Sequence, residues 1–288
     1  MSSSAPIGSM SASGDVVTLD AGHIPQALAL SQAIKWPYRA EDWSFALALG
    51  RGFGVELDGR LVGTALWWPY GDDYASVGMI IVASNAQRRG IGARLMDALL
   101  ADAAGRTIIL NSTVDGETLY RRLGFEPYGV VEQHQAVLEA TPAIDAGVPL
   151  RAARPDDRAA LHALDQAASG MDRRALLDAL FGVADVLVVE RDGRLMGYGC
   201  VRRWGRGFVI GPVAARDMYD ARALIAALAA RHVGDFVRID VTEACGLGPW
   251  LGTIGLQQTD HVVAMSRGAP PQGEPDATLF ALSNQSLG

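Results

Sequence analysis

The chain has 288 residues, and its length and composition restrict the classes of protein to which it can belong. Hydrophobic residues make up 49% of it and charged residues 20%, which is typical of a folded protein large enough for two domains. The net charge of −7 argues against a nucleic-acid-binding surface, and no apolar run approaches the length of a membrane span. Cys200 and Cys245 are too few for a disulfide framework and have no metal-ligand spacing. We therefore expect a cytoplasmic globular protein with no nucleic-acid or membrane partner.

The first half of the chain predicts alternating strands and helices. Residues 1–14 are rich in Ser, Ala and Gly and lack the charged start and apolar core of a signal peptide, so we expect a disordered tail. A strand at 16–19 precedes helices at 24–34 and 40–49, which are separated by Pro37. Asp58-Gly59 lies between alternating apolar residues and predicts a hairpin.

A strand, a glycine-containing turn and a helix follow at residues 74–105. The strand ends in the apolar run 79–82, the turn ends in Gly90-Ile91-Gly92, and the helix has apolar residues at three- and four-residue spacing. A helix N-terminus presents free N–H groups and favours an anion, and glycines allow a ligand to approach the backbone closely. Arg88 and Arg89 add positive charge. The stretch predicts a phosphate-binding turn, which we call the phosphate cradle (residues 87–92).

The spacing within the cradle narrows the choice of ligand. It matches neither the dinucleotide-binding glycine pattern nor the P-loop pattern. The sequence Gln-Arg-Arg-Gly-Ile-Gly resembles the Gln/Arg-x-x-Gly-x-Gly/Ala acetyl-CoA loop of the GCN5-related N-acetyltransferase (GNAT) family. Tyr120 and Gly124-Phe125 resemble the Tyr-x-x-x-Gly-Phe segment that the family typically carries at about this distance downstream. The resemblance implies an N-acetyltransferase that takes acetyl-CoA as co-substrate and a small-molecule or peptide amine as acceptor.

The same resemblance implies roles for individual residues. The pantetheine arm is expected to pair with the backbone of the strand before the cradle, and Tyr120 matches the position of the general acid, although packing against the cofactor is the alternative role. A phenol holds its proton at neutral pH, as a general acid must. The cofactor-binding residues implied are Ile80, Ile81, Val82, Gln87, Arg88, Arg89, Gly90, Ile91, Gly92, Ala93, Asn111 and Tyr120.

The acceptor side is less well defined by the sequence. In this family the two helices after the first strand commonly form the wall of the acceptor site, which makes Trp36, Tyr38 and Trp43 substrate candidates. An aromatic stripe is also typical of an ordinary core. No general base is assigned, because the stretch 76–79, where family members often carry Glu or Asp, has no carboxylate.

Because this carboxylate is missing, several other groups could act as the general base. Asp72, Asp73 and Glu117 are nearby, and a water relay or a partly deprotonated amine would also serve.

The sequence also leaves other functions open. A non-catalytic acyl-CoA sensor is the alternative to an enzyme, and transfer of a longer acyl group depends on pocket size. The five histidines show no metal-ligand spacing, so no metal is expected.

The second half of the chain repeats the first. After the cradle helix we predict a strand at 107–111, a short helix at 117–123 and closing strands at 125–138, followed by a Pro- and Gly-rich linker at 141–149. Asp192-Gly193 then mirrors Asp58-Gly59, and residues 237–242 mirror 108–113, at offsets of roughly 130 residues. The repeat predicts an α/β (α+β) protein of two tandem GNAT-like domains, each with a mixed, mostly antiparallel central sheet flanked by helices.

Only the first predicted domain retains the cradle. No Gly-x-Gly stands at the corresponding helix of the second, and Asp217 and Asp220 put negative charge where a pyrophosphate would lie. We therefore expect an acetyl-CoA-binding domain at 15–140, a degenerate domain at 150–268 and a C-terminal tail at 269–288 with an apolar run at 279–282. The second domain would close the acceptor cavity or mediate formation of a homodimer.

Overall fold

A computed structural model describes residues 14–144 and 147–288 of the chain. The predicted N-terminal tail, apart from Gly14, and the centre of the predicted linker lie outside the described residues. The first half contains, in chain order, β1 (Asp15–Thr18), α1 (Ile24–Ala33), α2 (Ala40–Leu49), β2 (Arg51–Leu57), β3 (Arg60–Tyr70), β4 (Tyr74–Val82), α3 (Ile91–Asp102), β5 (Thr107–Ser112), α4 (Val114–Arg122) and β6 (Glu126–Val137).

The second half has the same succession of elements and ends with one additional strand. It contains β7 (Leu150–Ala152), α5 (Arg158–Ser169), α6 (Arg174–Phe181), β8 (Asp185–Arg191), β9 (Arg194–Trp204), β10 (Gly207–Ala215), α7 (Met218–Ala229), β11 (Phe236–Thr242), α8 (Gly248–Thr253), β12 (Gln257–Arg267) and β13 (Thr278–Ala281). The Asp-Gly turns of the two halves match closely, with φ of 51° and 71° at Asp58-Gly59 and 51° and 73° at Asp192-Gly193. Both pairs have the positive φ values that a two-residue hairpin requires. The predicted tandem repeat is confirmed.

The two halves share one sheet of 13 strands in the order β1-β2-β3-β4-β5-β12-β6-β11-β13-β10-β9-β8-β7. β4 pairs with β5, and β10 with β11, in parallel, and the other strand pairs are antiparallel. The halves also exchange strands, because β12 of the second half pairs with β5 of the first and β6 lies between β12 and β11. The closing strands predicted at 125–138 are therefore one continuous strand, β6.

Helices cover both faces of this sheet. In β3, Trp68 points toward α2 and donates its indole N–H to the carbonyl of Ala46 at 2.8 Å, whereas Trp67 points to the opposite face and donates to Asp102 of α3 at 2.9 Å. This alternation is that of a strand buried on both faces. Buried residues of α1, α2, α5 and α6 form one core cluster, and those of α3 and of α7 belong to two others. None of the helices that the structure describes has the length and apolar character needed to cross a membrane.

The predicted C-terminal tail is part of the folded core. β13 is inserted between β10 and β11, which accounts for the apolar run predicted at 279–282. Residues 283–288, which we call the C-terminal segment, follow β13, and Ser283 and Leu287 are almost completely buried. The sequence did not predict where this segment lies.

Candidate functional site

The phosphate cradle connects β4 to α3. Gly90 is the N-cap residue of α3 and has φ of 76°, a left-handed conformation that glycine adopts without strain. In the described chain no side chain caps this helix, and its first intrahelical hydrogen bond runs from Arg94 N to Gly90 O at 3.1 Å. Gln87, Arg88 and Gly90 are exposed. In the part of the chain that the structure describes, the start of α3 is therefore exposed and has no side-chain cap, as an anion-binding helix terminus requires.

A wedge opens between β4 and β5 next to the cradle. The two strands pair in parallel from Tyr74↔Thr107 to Val77↔Leu110 and then separate. Met79 has φ of 50°, and the register between β3 and β4 shifts at this point. In the described chain the last three residues of β4, 80–82, pair with no strand other than β3. Among the described residues, their other edge therefore has no strand beside it.

The second half contains the corresponding wedge, and the chain fills it. β10 and β11 pair in parallel only from Phe208↔Val237 to Ile210↔Ile239. Beyond that point β13 lies between them, and its Ala281 is paired with Val213 on one side and Val241 on the other.

The N-terminus of α7 is also closed to an anion. The carboxylate of Asp217 accepts a hydrogen bond from the backbone N–H of Asp220 at 2.8 Å, and the Asp220 carboxylate binds Arg191. Within the described chain, the first half therefore has an open wedge beside α3, a helix with no side-chain cap. The second half has a wedge filled by β13 beside α7, a helix capped by Asp217.

Tyr120 lies on α4, which begins three residues earlier than predicted. The side chain is 8% exposed and belongs to the same apolar cluster as Val77 of β4 and Leu110 of β5. Its ring packs edge-on against Phe125 at 5.9 Å between centroids. Burial raises the pKa of Tyr120 to about 12. Within the described chain its hydroxyl makes no hydrogen bond, so the phenol is protonated at neutral pH and has no protein acceptor for that proton.

The three aromatic residues predicted for the acceptor side have different environments. Trp43 is completely buried and donates its indole N–H to Ser31 Oγ at 3.3 Å, which favours the core role that the sequence left open. Trp36 packs edge-on against Tyr38, with 6.0 Å between ring centroids. The Tyr38 hydroxyl lies 3.3 Å from Ser286 Oγ of the C-terminal segment. Tyr38 thus contacts this segment.

The C-terminal segment lies against the base of the wedge, at residues that the sequence did not associate with it. Ser286 is so close to Gly78 that a Cβ atom on Gly78 would lie 2.7 Å from the Cβ of Ser286. Side chains from both halves donate hydrogen bonds to the carbonyls of the segment. The donors, each followed by the residue whose carbonyl accepts, are Arg202 (Ser283), Asn111 (Gln285), Ser76 (Ser286), Tyr70 (Leu287) and Arg173 (Gly288).

Two buried arginines hold the ends of this segment. Burial alone would lower the pKa of Arg173, but the carboxylate of Asp165, 2.5 Å away, outweighs it and raises that pKa. Arg202 has no carboxylate partner in the described chain, and burial lowers its pKa to about 10. Its guanidinium lies 4.8 Å from the ring centroid of Trp204. The segment is therefore fixed by charged as well as neutral donors.

A cavity of about 420 Å³ lies beside the wedge and is formed by both halves of the chain. Its walls come from β5, β6, β12, the end of α5 and residues 271–282, and most of the lining side chains are apolar. Asn111, the first residue of β5 beyond the last pair with β4, lines one side. Asn111 was predicted to contact the cofactor, and in this structure its amide donates to the carbonyl of Gln285 at 2.8 Å.

The three carboxylates that the sequence offered as alternatives for the general base are exposed or paired with arginine. Asp72 is fully exposed and lies 3.6 Å from Arg106, and Asp73 is also exposed. Glu117 forms an ion pair with Arg121 one helical turn away, at 2.7 Å. Among the described residues, no group of three or more His, Cys, Asp or Glu side chains is arranged to hold a metal ion.

In the described chain, the repeated fold with one open wedge beside an uncapped helix defines a tandem-domain α/β protein. Comparison with known proteins identifies its family. Profiles of the acetyltransferase (GNAT) domain match residues 49–127 and 161–281, one in each half. The N-acetyltransferase YitH of Bacillus subtilis, described as uncharacterised, is 30% identical over 284 residues, which are 95% of this chain and 98% of the relative. The chain belongs to the GNAT acetyltransferase family.

Other relatives agree with this assignment. The holothin acyltransferase of a Pseudoalteromonas species is 28% identical over 263 residues, 86% of this chain and 88% of that protein. A candidate acetyltransferase of Pyrococcus horikoshii superposes with a TM-score of 0.80 at 21% identity over 95% of both chains. A tandem GNAT protein from the clavulanic acid pathway superposes with a TM-score of 0.61 at 18% identity, over 88% of this chain and 97% of that one. The two solved structures share the fold, and the named relatives place this chain among the acyltransferases.

Proposed function

We propose that the first half of the protein transfers the acetyl group of acetyl-CoA to the nitrogen of an amine acceptor. The observation that carries the proposal is the difference between the two wedges. In the second half an extended segment of the chain, β13, pairs along the strand that follows the separation point. The equivalent edge in the first half, at residues 80–82, is unpaired in the described chain and lies beside an uncapped helix N-terminus. An extended ligand that ends in an anionic group would fit both features.

In this proposal, different residues of the chain would hold the two ends of acetyl-CoA. The open N–H groups at the start of α3, together with Arg88, would bind the pyrophosphate. The free backbone edge of β4 would bind the pantetheine arm as a neighbouring strand does, so that the side chains there matter little. Acetyl-CoA supplies the activated acyl group. The protein's contribution is to hold the thioester in one orientation beside the acceptor.

Tyr120 would supply the proton that the departing thiolate requires. Its phenol is protonated at neutral pH because burial raises its pKa to about 12. Its hydroxyl has no hydrogen-bond partner in the described chain, so no protein group competes for the proton. General acid catalysis of this kind contributes about 10²- to 10⁴-fold in rate.

Two measurements test the proposal. Isothermal titration with acetyl-CoA should give a 1:1 complex, and Arg88→Glu should raise its Kd by about tenfold because one charge-assisted contact is replaced by repulsion. Arg194→Glu is the matched control, since Arg194 is also exposed but lies in the hairpin of the second half. Equal effects of the two substitutions would argue against the cradle as the binding site.

Release of free thiol in the presence of an amine panel then separates an enzyme from a sensor. The proposal predicts thiol release that depends on the amine. Tight binding of acetyl-CoA with no thiol release for any amine would instead favour a non-catalytic acyl-CoA sensor.

A further inference from the structure

The cavity adjoins β5 at the point where β4 and β5 separate. β4 and β5 separate after Val77↔Leu110, and both Leu110 and the next residue, Asn111, line the cavity. The cavity volume of about 420 Å³ is in the range of small-molecule sites. A ligand that fills it would extend from the wedge toward the second half of the chain.

The chemistry of the walls restricts what can bind. Val131, Ala264, Met171 and Leu279 are among the apolar side chains that face the cavity. No Lys, Arg or His lines it among the described residues, and Glu274 is the one acidic side chain that does. The Glu274 carboxylate is exposed and makes no ion pair with a described residue. Uncharged polar side chains also line the cavity, at Asn111, Tyr128, Ser169, Thr242 and Thr278. The cavity is thus mostly apolar, and its one acidic side chain is exposed.

We propose that the acceptor is an apolar primary amine whose hydrocarbon or aromatic body fills this cavity, an inference that rests on the transferase function proposed above. A carboxylate or phosphate on the acceptor would be buried with no cation among the lining side chains to pair with it, which is strongly unfavourable. A polyamine would place additional ammonium groups among apolar walls at a similar cost. Glu274 would attract the ammonium form of the amine to the mouth of the cavity.

The apolar walls also replace a general base. Removal from water disfavours the charged form of an amine and lowers its pKa, so the ammonium loses a proton to solvent as it enters. The neutral nitrogen then attacks the thioester carbonyl, the C–N bond forms and the C–S bond breaks. The thiolate takes the proton of Tyr120, the nitrogen loses its second proton to water, and solvent reprotonates Tyr120. This sequence needs no carboxylate next to the reacting atoms.

Gly129 of β6 provides a substitution that fills the cavity. A Cβ on Gly129 would meet only the Cβ of Ala264, at 3.9 Å, and both residues line the cavity. Gly129→Leu should therefore place its side chain in the cavity without displacing backbone. We expect the Kd for phenethylamine, measured by titration in the absence of acyl-CoA, to rise at least about tenfold, since the added side chain takes the volume of several ligand atoms. The Kd for acetyl-CoA should not change. Gly129→Ala is the control, and Thr278→Leu is a second filling variant if Gly129→Leu fails to fold.

Removing the carboxylate of Glu274 tests whether it attracts the ammonium form of the amine. Glu274→Gln should weaken the apparent affinity for phenethylamine, raising its KM about threefold at low salt and leaving it unchanged at high salt, because a rim charge acts through screened attraction. Glu139→Gln removes the same charge from an exposed position outside the cavity and should change nothing.

An acceptor panel decides between substrate classes. We expect phenethylamine and hexylamine to give a higher kcat/KM than glycine or spermidine. Faster transfer to glycine or spermidine would overturn the inference while leaving the transferase function intact. Unchanged binding of phenethylamine to both filling variants would also overturn it. A third outcome separates the two proposals. If both filling variants abolish phenethylamine binding but the original protein releases no thiol with any amine, the cavity is an amine-binding site and the proposed transferase function is wrong.

Discussion

Gly78→Ala tests whether the C-terminal segment is fixed at the base of the wedge. An added Cβ would lie 2.7 Å from the Cβ and 2.9 Å from the Cα of Ser286, both closer than real Cβ contacts. Gly78 does not have a positive φ, so its backbone accepts alanine without strain. Ser286 cannot shift freely, because Ser76 and Asn111 each donate at 2.8 Å to a carbonyl of the segment. Inserting a methyl group into such a site costs about 1–3 kcal/mol of unfolding free energy.

Urea denaturation at neutral pH measures this cost. Gly129→Ala is the matched control, since it adds the same methyl group to a strand glycine whose nearest neighbour would be 3.9 Å away. That variant should be as stable as the original protein or slightly more so. Ser286→Gly in the Gly78→Ala background removes the Cβ and Oγ contacts and should restore about half of the loss. Equal stability of Gly78→Ala and Gly129→Ala would refute the placement of the segment.

Three further predictions follow from buried groups. Tyr120→Phe should lower kcat at least about tenfold with little change in acetyl-CoA affinity or in stability, because it removes a proton that no described residue accepts; unchanged kcat would remove the phenol from the mechanism. Asp165→Asn should lower the unfolding free energy by about 3–5 kcal/mol in urea, since Arg173, 0% exposed, loses its counter-ion; a loss under about 1 kcal/mol would show that the pair is dispensable. The pKa of Tyr120 is near 10 in the unfolded chain and about 12 in the folded one. Its contribution to the free energy of unfolding is therefore fully present below pH 10 and is lost as the pH rises toward 12. The urea midpoint should be lower at pH 11 than at pH 9, and Tyr120→Phe should make the two midpoints more similar.

Local sequence signals were sufficient for most elements. The Asp-Gly turns predicted both long hairpins, because few residue pairs tolerate two successive positive φ values. The predicted bounds of α2 agree with the structure at both ends, and those of α1 differ at its C-terminus by one residue. The start of α4 was predicted three residues late, although Thr113 stands at its N-cap and Asp115 in its first turn. The domain repeat and the GNAT family were also recognisable from the sequence.

Long-range pairing was not predictable in the same way. β6 and β12 have similar patterns, and nothing local specifies that each crosses to the other half of the sheet. The contact between Ser76 and Ser286 spans 210 residues and involves polar side chains of a kind common in loops. The strand, turn and helix that form the cradle could be predicted because they are contiguous in sequence. The cavity could not, because its walls come from segments as distant as Asn111 and Glu274.

The exchange of β6 and β12 determines the order in which the protein can complete its fold. During synthesis the first half emerges before β12, so the edge of β5 that β12 later covers has no partner in the finished arrangement until residues 257–267 are made. An unpaired strand edge is prone to pairing with other chains, and long-range strand pairing is slow. The first half therefore acquires its final sheet, and the base of its wedge, only after the second half and residues 283–288 have been made. A truncated chain would contain the cradle but would lack the structure that surrounds it.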